Sequence, residues 1–194
     1  MEGRLDDPEA VLDVWLGEVG PEGWYAGGEA LDARVREGFA DLWRAARDGG
    51  LDHWVEGTAG ALGFIILTDQ LPRNMWRGAA DAFATDALAL GAARRAVAAG
   101  WDMGAPEPDR QFFYLPFMHA EDGPTQAECI ELIAARMPET GADNLRHARA
   151  HAEVIARFGR FPARNAALGR ATTPAEAAYL SGGGYAEILR ELGG

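Results

Sequence analysis

Apolar residues recur along most of the chain three or four positions apart, the spacing of a helix with one buried face, and no segment alternates with period two. Asp7 followed by Pro8 reads as a helix N-cap with proline at the first helical position, and Val11, Leu12, Trp15 and Leu16 then share one face. A glycine-rich break around Trp24-Tyr25 separates this element from a second helix over Glu29 to Asp48, striped by Leu31, Val35, Phe39 and Leu42 and stopped by Gly49-Gly50. The third helix starts near Thr58 and carries Leu62, Phe64, Ile65, Ile66 and Leu67 on all sides, the mark of a helix in the middle of a bundle. Pro72 predicts its end near Leu71.

Further helices are predicted over Asp86 to Ala99 and over Asp109 to Ala120, where Pro116 kinks or shortens the aromatic run Phe112 to Phe117. Thr125-Gln126-Ala127-Glu128 has the form of a capping box opening a helix to Arg136, and the next helix runs from Asp143 to Phe158. A second capping box, Thr173-Pro174-Ala175-Glu176, starts a short helix ended by Gly182-Gly183-Gly184, and Tyr185 to Leu192 closes the chain. Seven to nine short helices with brief links predict an all-α protein, read as a single helical domain over residues 1–194.

Composition narrows the function classes. The apolar share, 48%, is that of an ordinary globular protein, and no apolar run approaches the roughly 18 residues of a membrane span. The first residues lack the apolar core of a secretory signal, and a lone Cys129 makes neither an internal disulfide nor a cysteine-rich metal site; a soluble cytoplasmic protein is expected, with no membrane partner. The net charge is −12, and all 18 basic residues are arginine. The absence of lysine rules out Schiff-base and phosphate-loop lysines, and the acidic balance argues against nucleic acid as a partner. Each cation is a planar fork suited to carboxylate or phosphate.

Three polar constellations interrupt the helical background. Asp69, Gln70, Arg73 and Asn74, with Arg77 just beyond, gather an acid, two amides and two guanidinium groups where the most apolar helix is expected to end. They read either as part of a binding site or as an architectural ion pair with amides capping loose backbone. His119, Glu121 and Asp122 follow the aromatic run, and the two carboxylates are expected at a helix C-terminus, where the dipole disfavours them and an arginine would compensate. One histidine and two carboxylates also match some iron ligand sets, but the spacing has no partner motif, and neither metal nor cofactor is expected.

The third constellation begins with Asn144, His147 and His151 at helical spacing. His151 precedes Val154 and Ile155 by three and four residues and so faces the core, with His147 one turn earlier and nearer solvent. Arg157, Arg160, Arg164 and Arg170 then fall within Val154 to Ala175, a span with no acidic residue, and Asn165 lies among them. This local basic island either neutralises Asp69, Glu121 and Asp122 across the core or forms an anion pocket.

In order along residues 10–181, the chain carries Val11-Leu12-Asp13-Val14-Trp15, Trp24-Tyr25, Leu51-Asp52-His53-Trp54, Asp69-Gln70-Leu71-Pro72-Arg73-Asn74 and Ala82-Phe83-Ala84-Thr85-Asp86. There follow Tyr114-Leu115-Pro116-Phe117-Met118-His119-Ala120-Glu121-Asp122, then His151, Ile155-Ala156-Arg157-Phe158-Gly159-Arg160-Phe161-Pro162, Arg164-Asn165 and Leu168-Gly169-Arg170. With these motifs the sequence resembles the bacterial domain of unknown function 924 family. The resemblance implies a tetratricopeptide-like, right-handed antiparallel helix stack and carries no established activity. Two positions depart from the family pattern: Ala163 stands where a histidine often precedes the Arg-Asn pair, and Thr68 where an aliphatic residue is usual.

These readings lead to three expectations for function. The first is a binding module whose Arg-, His- and Asn-lined pocket (Asp69, Gln70, Arg73, Asn74, Arg77, His119, Glu121, Asp122, His151, Arg160, Arg164, Asn165 and Arg170) takes a small anionic molecule or a peptide carboxylate. The second is a hydrolase or isomerase-like enzyme with His119 or His151 as acid/base on an anionic substrate. The third is a scaffold locked by buried arginine–carboxylate pairs. Oligomeric state is not legible in the sequence.

Overall fold

Asp7 opens the first helix as its position before proline predicts: its side chain accepts from the Glu9 amide at 3.0 Å, and Pro8 stands in the first turn of α1 (Pro8–Leu12). The computed structural model describes residues 7–193, and every regular element among them is helical. After α1 the chain continues as a wider π-helical stretch, Asp13–Val19, into α2 (Gly20–Gly23) and then α3 (Glu29–Arg47). On α3, Val35 and Phe39 are buried as the apolar stripe requires, but Trp43 and Ala46 join them while the expected Leu31 and Leu42 are only half-buried, so the buried face is turned from the predicted one. No helix among the described residues is long and apolar enough to cross a membrane.

The expected end near Leu71 is overturned. α4 (Gly57–Ile65) runs through a π-helical stretch, Ile66–Gln70, straight into α5 (Leu71–Met75). In a regular helix a proline ring strikes the carbonyl four residues back and leaves it without a donor. The wider turn ahead of Leu71 relieves that conflict, and Pro72 then falls in the first turn of α5, where its missing N–H costs least. The same wide turn buries three polar side chains, Thr68, Asp69 and Gln70. Thr68, the departure from an aliphatic residue, donates its hydroxyl to the Phe64 carbonyl at 2.7 Å and so enters the core without an unmet group.

α6 (Asp86–Ala99) ends in left-handed Gly100, and a 3₁₀ turn over Asp109–Phe113 precedes α7 (Leu115–Met118). Proline thus shortens the aromatic element as expected, and Phe112, Phe113, Tyr114 and Phe117 are buried. α8 (Gly123–Arg136) begins earlier than the Thr125 capping box predicts. Asp122 is its N-cap, and one oxygen of Asp122 accepts both the Thr125 amide at 2.9 Å and the Thr125 hydroxyl at 2.6 Å. Asp122 therefore sits at the favourable end of a helix dipole, not at the C-terminal end that the sequence reading assigned it. α9 (Ala142–Phe158), α10 (Pro174–Ser181) and α11 (Tyr185–Glu191) follow, and α10 carries the complete Thr173–Glu176 capping box.

Contacts divide the chain into two units, residues 1–116 and 117–194. In the first, α4 packs on α1 and α6, and α3 packs on α5. In the second, α8 and α11 both pack on α9, and Ala150, Val154, Ile155, Phe161 and Ile188 form its core with Phe158, Tyr179, Tyr185 and Leu189. The α1–α4 contact depends on the missing side chain of Gly63: a Cβ there would stand 2.7 Å from the Pro8 Cβ and 3.0 Å from the Pro8 carbonyl oxygen. Gly63→Ala is expected to cost about 1–3 kcal/mol, the usual penalty of overpacking, read as a lower urea midpoint. An unchanged midpoint would show that α1 gives way freely.

Candidate functional site

The first polar constellation has partners in its own unit. Arg73 reaches back four residues to Asp69 at 3.2 Å, lays both terminal nitrogens on Asp86 at 3.1 Å, and donates to the Ala82 carbonyl at 2.9 Å. Gln70 donates to the other Asp69 oxygen. Asn74 and Arg77 turn to Asp32 in the first turn of α3: Asn74 donates at 2.9 Å, and Arg77 grips the carboxylate through Nε at 2.8 Å and Nη2 at 2.9 Å. The Arg77 hydrogen bond holds the Asp32 carboxyl below its ordinary pKa, against the effect of burial. These contacts tie the segment after the π-helical turn to α3 and to the start of α6.

Asp69 is met first by an arginine of its own segment. Arg73, on the same helix, is nearer to hand at i, i+4, and Asp86 shares its charge. Neither Asp32 nor Asp86 stood out in the sequence, because each reads as an unremarkable acid in the first turn of a helix.

In the second unit, the segment between α9 and α10 is held by two carboxylates. Glu121 accepts the Phe161 amide at 2.8 Å and two Arg170 donors at 2.7 and 3.0 Å, while Arg170 also donates to the Phe161 carbonyl at 3.0 Å. Burial raises the Glu121 pKa, but Arg170, the Phe161 amide and Arg164 together outweigh it and hold the carboxyl below its ordinary value. Arg170 continues to the buried Asn165 at 3.0 Å, and Asn165 to Glu176 at 3.3 Å. Glu176 receives Arg160 through Nε at 2.6 Å and Nη2 at 2.9 Å, and accepts the Thr173 amide at 2.7 Å. Arg160 is the chief cause of a Glu176 pKa lowered from 4.5 to about 2.

Of the acids that the sequence set against the arginine island, Glu121 is therefore met by Arg170, Asp122 is used as a helix cap, and Arg160 takes Glu176. Glu176 was legible only as a capping-box residue. It lies one position past the acid-free span and serves both purposes.

His119 and His151 come together beside this frame, with ring centroids 6.2 Å apart. Arg164 donates to the His119 carbonyl at 3.0 Å and lays its guanidinium 4.6 Å from the Phe161 ring centroid. His151 meets the same ring edge-on at 5.3 Å. Its Nδ1 lies 2.9 Å from the His147 carbonyl oxygen and 3.0 Å from the Tyr185 hydroxyl, and its Nε2 has no hydrogen-bond partner among the described residues. Burial above all, then the charge of His119, pushes the His151 pKa from 6.5 to about 3, so the ring is neutral at ordinary pH. Tyr185 was not among the sequence candidates; no local pattern links it to a histidine 34 residues earlier.

Among the described residues no group of three or more His, Cys, Asp or Glu side chains is placed to hold a metal ion. The arrangement offers instead a fixed cation, an uncharged imidazole and a second histidine on an aromatic support.

Comparison with known proteins follows the same span. Residues 11–184 match the model of a bacterial protein family of unknown function, DUF924. The solved structure of the protein of unknown function ATU0120 from Agrobacterium tumefaciens is similar: 40% identical, over 91% of this chain and 97% of that one, with a TM-score of 0.84. No curated protein matches the chain.

The lowered Glu176 pKa fixes the sign of an acid effect. The carboxylate stabilises the fold fully above its unfolded pKa near 4.5, and that contribution is lost as pH falls through about 2. Thermal melts taken downward from pH 5 are expected to show a falling Tm across this window, and Glu176→Gln to flatten the slope there while lowering the Tm at pH 7.

Proposed function

We propose that this chain, which belongs to the bacterial family of unknown function DUF924, binds a small anionic molecule on the face formed by His119, His151 and Arg164. The observation that carries the reading is the state of His151. A ring kept neutral by burial, with Nδ1 engaged and Nε2 without a protein partner, stands beside a guanidinium that cannot lose its charge. An anionic group laid on Arg164 leaves Nε2 to accept a hydrogen bond from a hydroxyl or N–H of the same molecule. Arg160 and Arg170 hold the surrounding segment through Glu176 and Glu121. The cluster of Asp69, Gln70, Arg73, Asn74 and Arg77 is assigned to architecture on the same ground.

One observation favours a second reading on the same face. An anion bound beside His151 raises the imidazole pKa from its lowered value toward the range of a general base, so His151 would accept a proton through Nε2, with His119 as its acid partner, if the bound molecule reacts. Hydrolysis and isomerisation both fit that description.

The test is thermal stabilisation by citrate and by inorganic phosphate. At least one anion is expected to raise the Tm of the wild-type chain, with Arg164→Gln removing the response and leaving a folded protein. Arg160→Gln is expected to lower the Tm yet keep the response. A wild-type Tm indifferent to both anions, or a response that survives Arg164→Gln, overturns the assignment.

A further inference from the structure

Three groups beside His151 form a hydrogen-bonded chain whose direction can be worked out from one acceptor that has no choice. The His147 carbonyl oxygen only accepts, so at 2.9 Å the His151 Nδ1 must carry the proton. The Tyr185 hydroxyl, 3.0 Å from the same nitrogen, is then an acceptor toward His151 and must send its own proton elsewhere. The close partner is His147 Nδ1 at 2.7 Å; the His147 carbonyl is farther, at 3.4 Å. His147 thus keeps its proton on Nε2, which faces the Asp143 carboxylate at 3.6 Å. The opposite direction would set a bare His151 Nδ1 against a carbonyl oxygen at 2.9 Å, lone pair to lone pair.

We propose that Tyr185 and the His147 side chain are positioning residues for the ligand face, holding the His151 proton on Nδ1 so that Nε2 meets the bound molecule as a hydrogen-bond acceptor. Packing supports the arrangement: the Tyr185 ring stacks on His147 at 5.8 Å and meets His151 edge-on at 4.9 Å, so all three rings are fixed relative to one another. Burial raises the Tyr185 pKa and keeps the phenol protonated, the state the chain requires. The ionisable groups acting on His151 are His119, His147 and Arg164, and those acting on Tyr185 are Tyr179, Asp143 and Arg146. Free histidine places its proton on either nitrogen, so the ring needs this neighbourhood to present one face only.

The inference rests on the reading of His119, His151 and Arg164 as the ligand face, but its test is read on the full chain without ligand, so the two fail separately. Nitrogen-15 NMR of histidine-labelled protein at neutral pH is expected to show His151 with a pyrrole-like Nδ1 and a pyridine-like Nε2. Tyr185→Phe keeps the ring and removes the second acceptor; the His147 carbonyl, already the α9 backbone acceptor one turn back, then holds the Nδ1 proton alone, and a minor form with protonated Nε2 is expected to appear beside the main one. His147→Leu should reproduce the mixture, and His147→Gln, which restores an acceptor for the phenol, should not. A wild-type His151 protonated on Nε2, or a Tyr185→Phe spectrum identical to wild type, overturns the proposal.

Discussion

The carboxylate of Glu121 dictates where the chain can go after α9. It accepts the Phe161 amide with one oxygen and spreads both oxygens over Arg170, which in turn returns a hydrogen bond to the Phe161 carbonyl. A single residue of backbone is thereby clamped on both sides by one ion pair. Phe161 then supplies the aromatic surface on which Arg164 lies and against which His151 packs. Remove the carboxylate and a partly buried guanidinium and a backbone amide lose their partner together, a cost of several kcal/mol for groups of this kind. The chemistry of the face is borrowed from a contact that does not itself belong to it.

The first unit solves a related problem differently. There the disturbance is a π-helical turn that places Asp69 and Gln70 inside the protein just before a proline. Arginine answers it from one turn away, and the same guanidinium reaches Asp86, so the ion pair also fixes the entry to α6. In both units arginine does work that lysine could not. A planar fork makes several directed bonds at once, and each of these networks needs two or more from one side chain.

Most of the fold was legible because helix signals are local. Asp7-Pro8 and the Thr173–Glu176 box are each contained in a few consecutive residues and appear where the pattern put them, and the α3 stripe holds at Val35 and Phe39. The run through Pro72 was not legible, since a proline rule presumes regular helix geometry and nothing in the letters announces a wide turn. Asp122 was misplaced by three residues of helix boundary, which reversed the sign of the dipole it feels. For the candidate site, the residue types were visible and the pairings were not. That Arg170 takes Glu121 and Arg160 takes Glu176 depends on how the loop returns, a matter of tertiary packing over separations of 49 and 16 residues. Tyr185 lay outside the reach of any short-range pattern for the same reason.

Glu176 also changes what local motion the second unit permits. Its carboxylate closes the capping box of α10 through the Thr173 amide and at the same time anchors Arg160 and Asn165. Fraying of the first turn of α10 is therefore not a private event at a helix end. It releases the guanidinium that steadies the start of the loop and the amide in its middle, so the cost of opening is shared across about fifteen residues of sequence. The segment from Arg160 to Glu176 is therefore expected to open and close as one cooperative piece, with a helix of only eight residues sharing the protection of the loop before it.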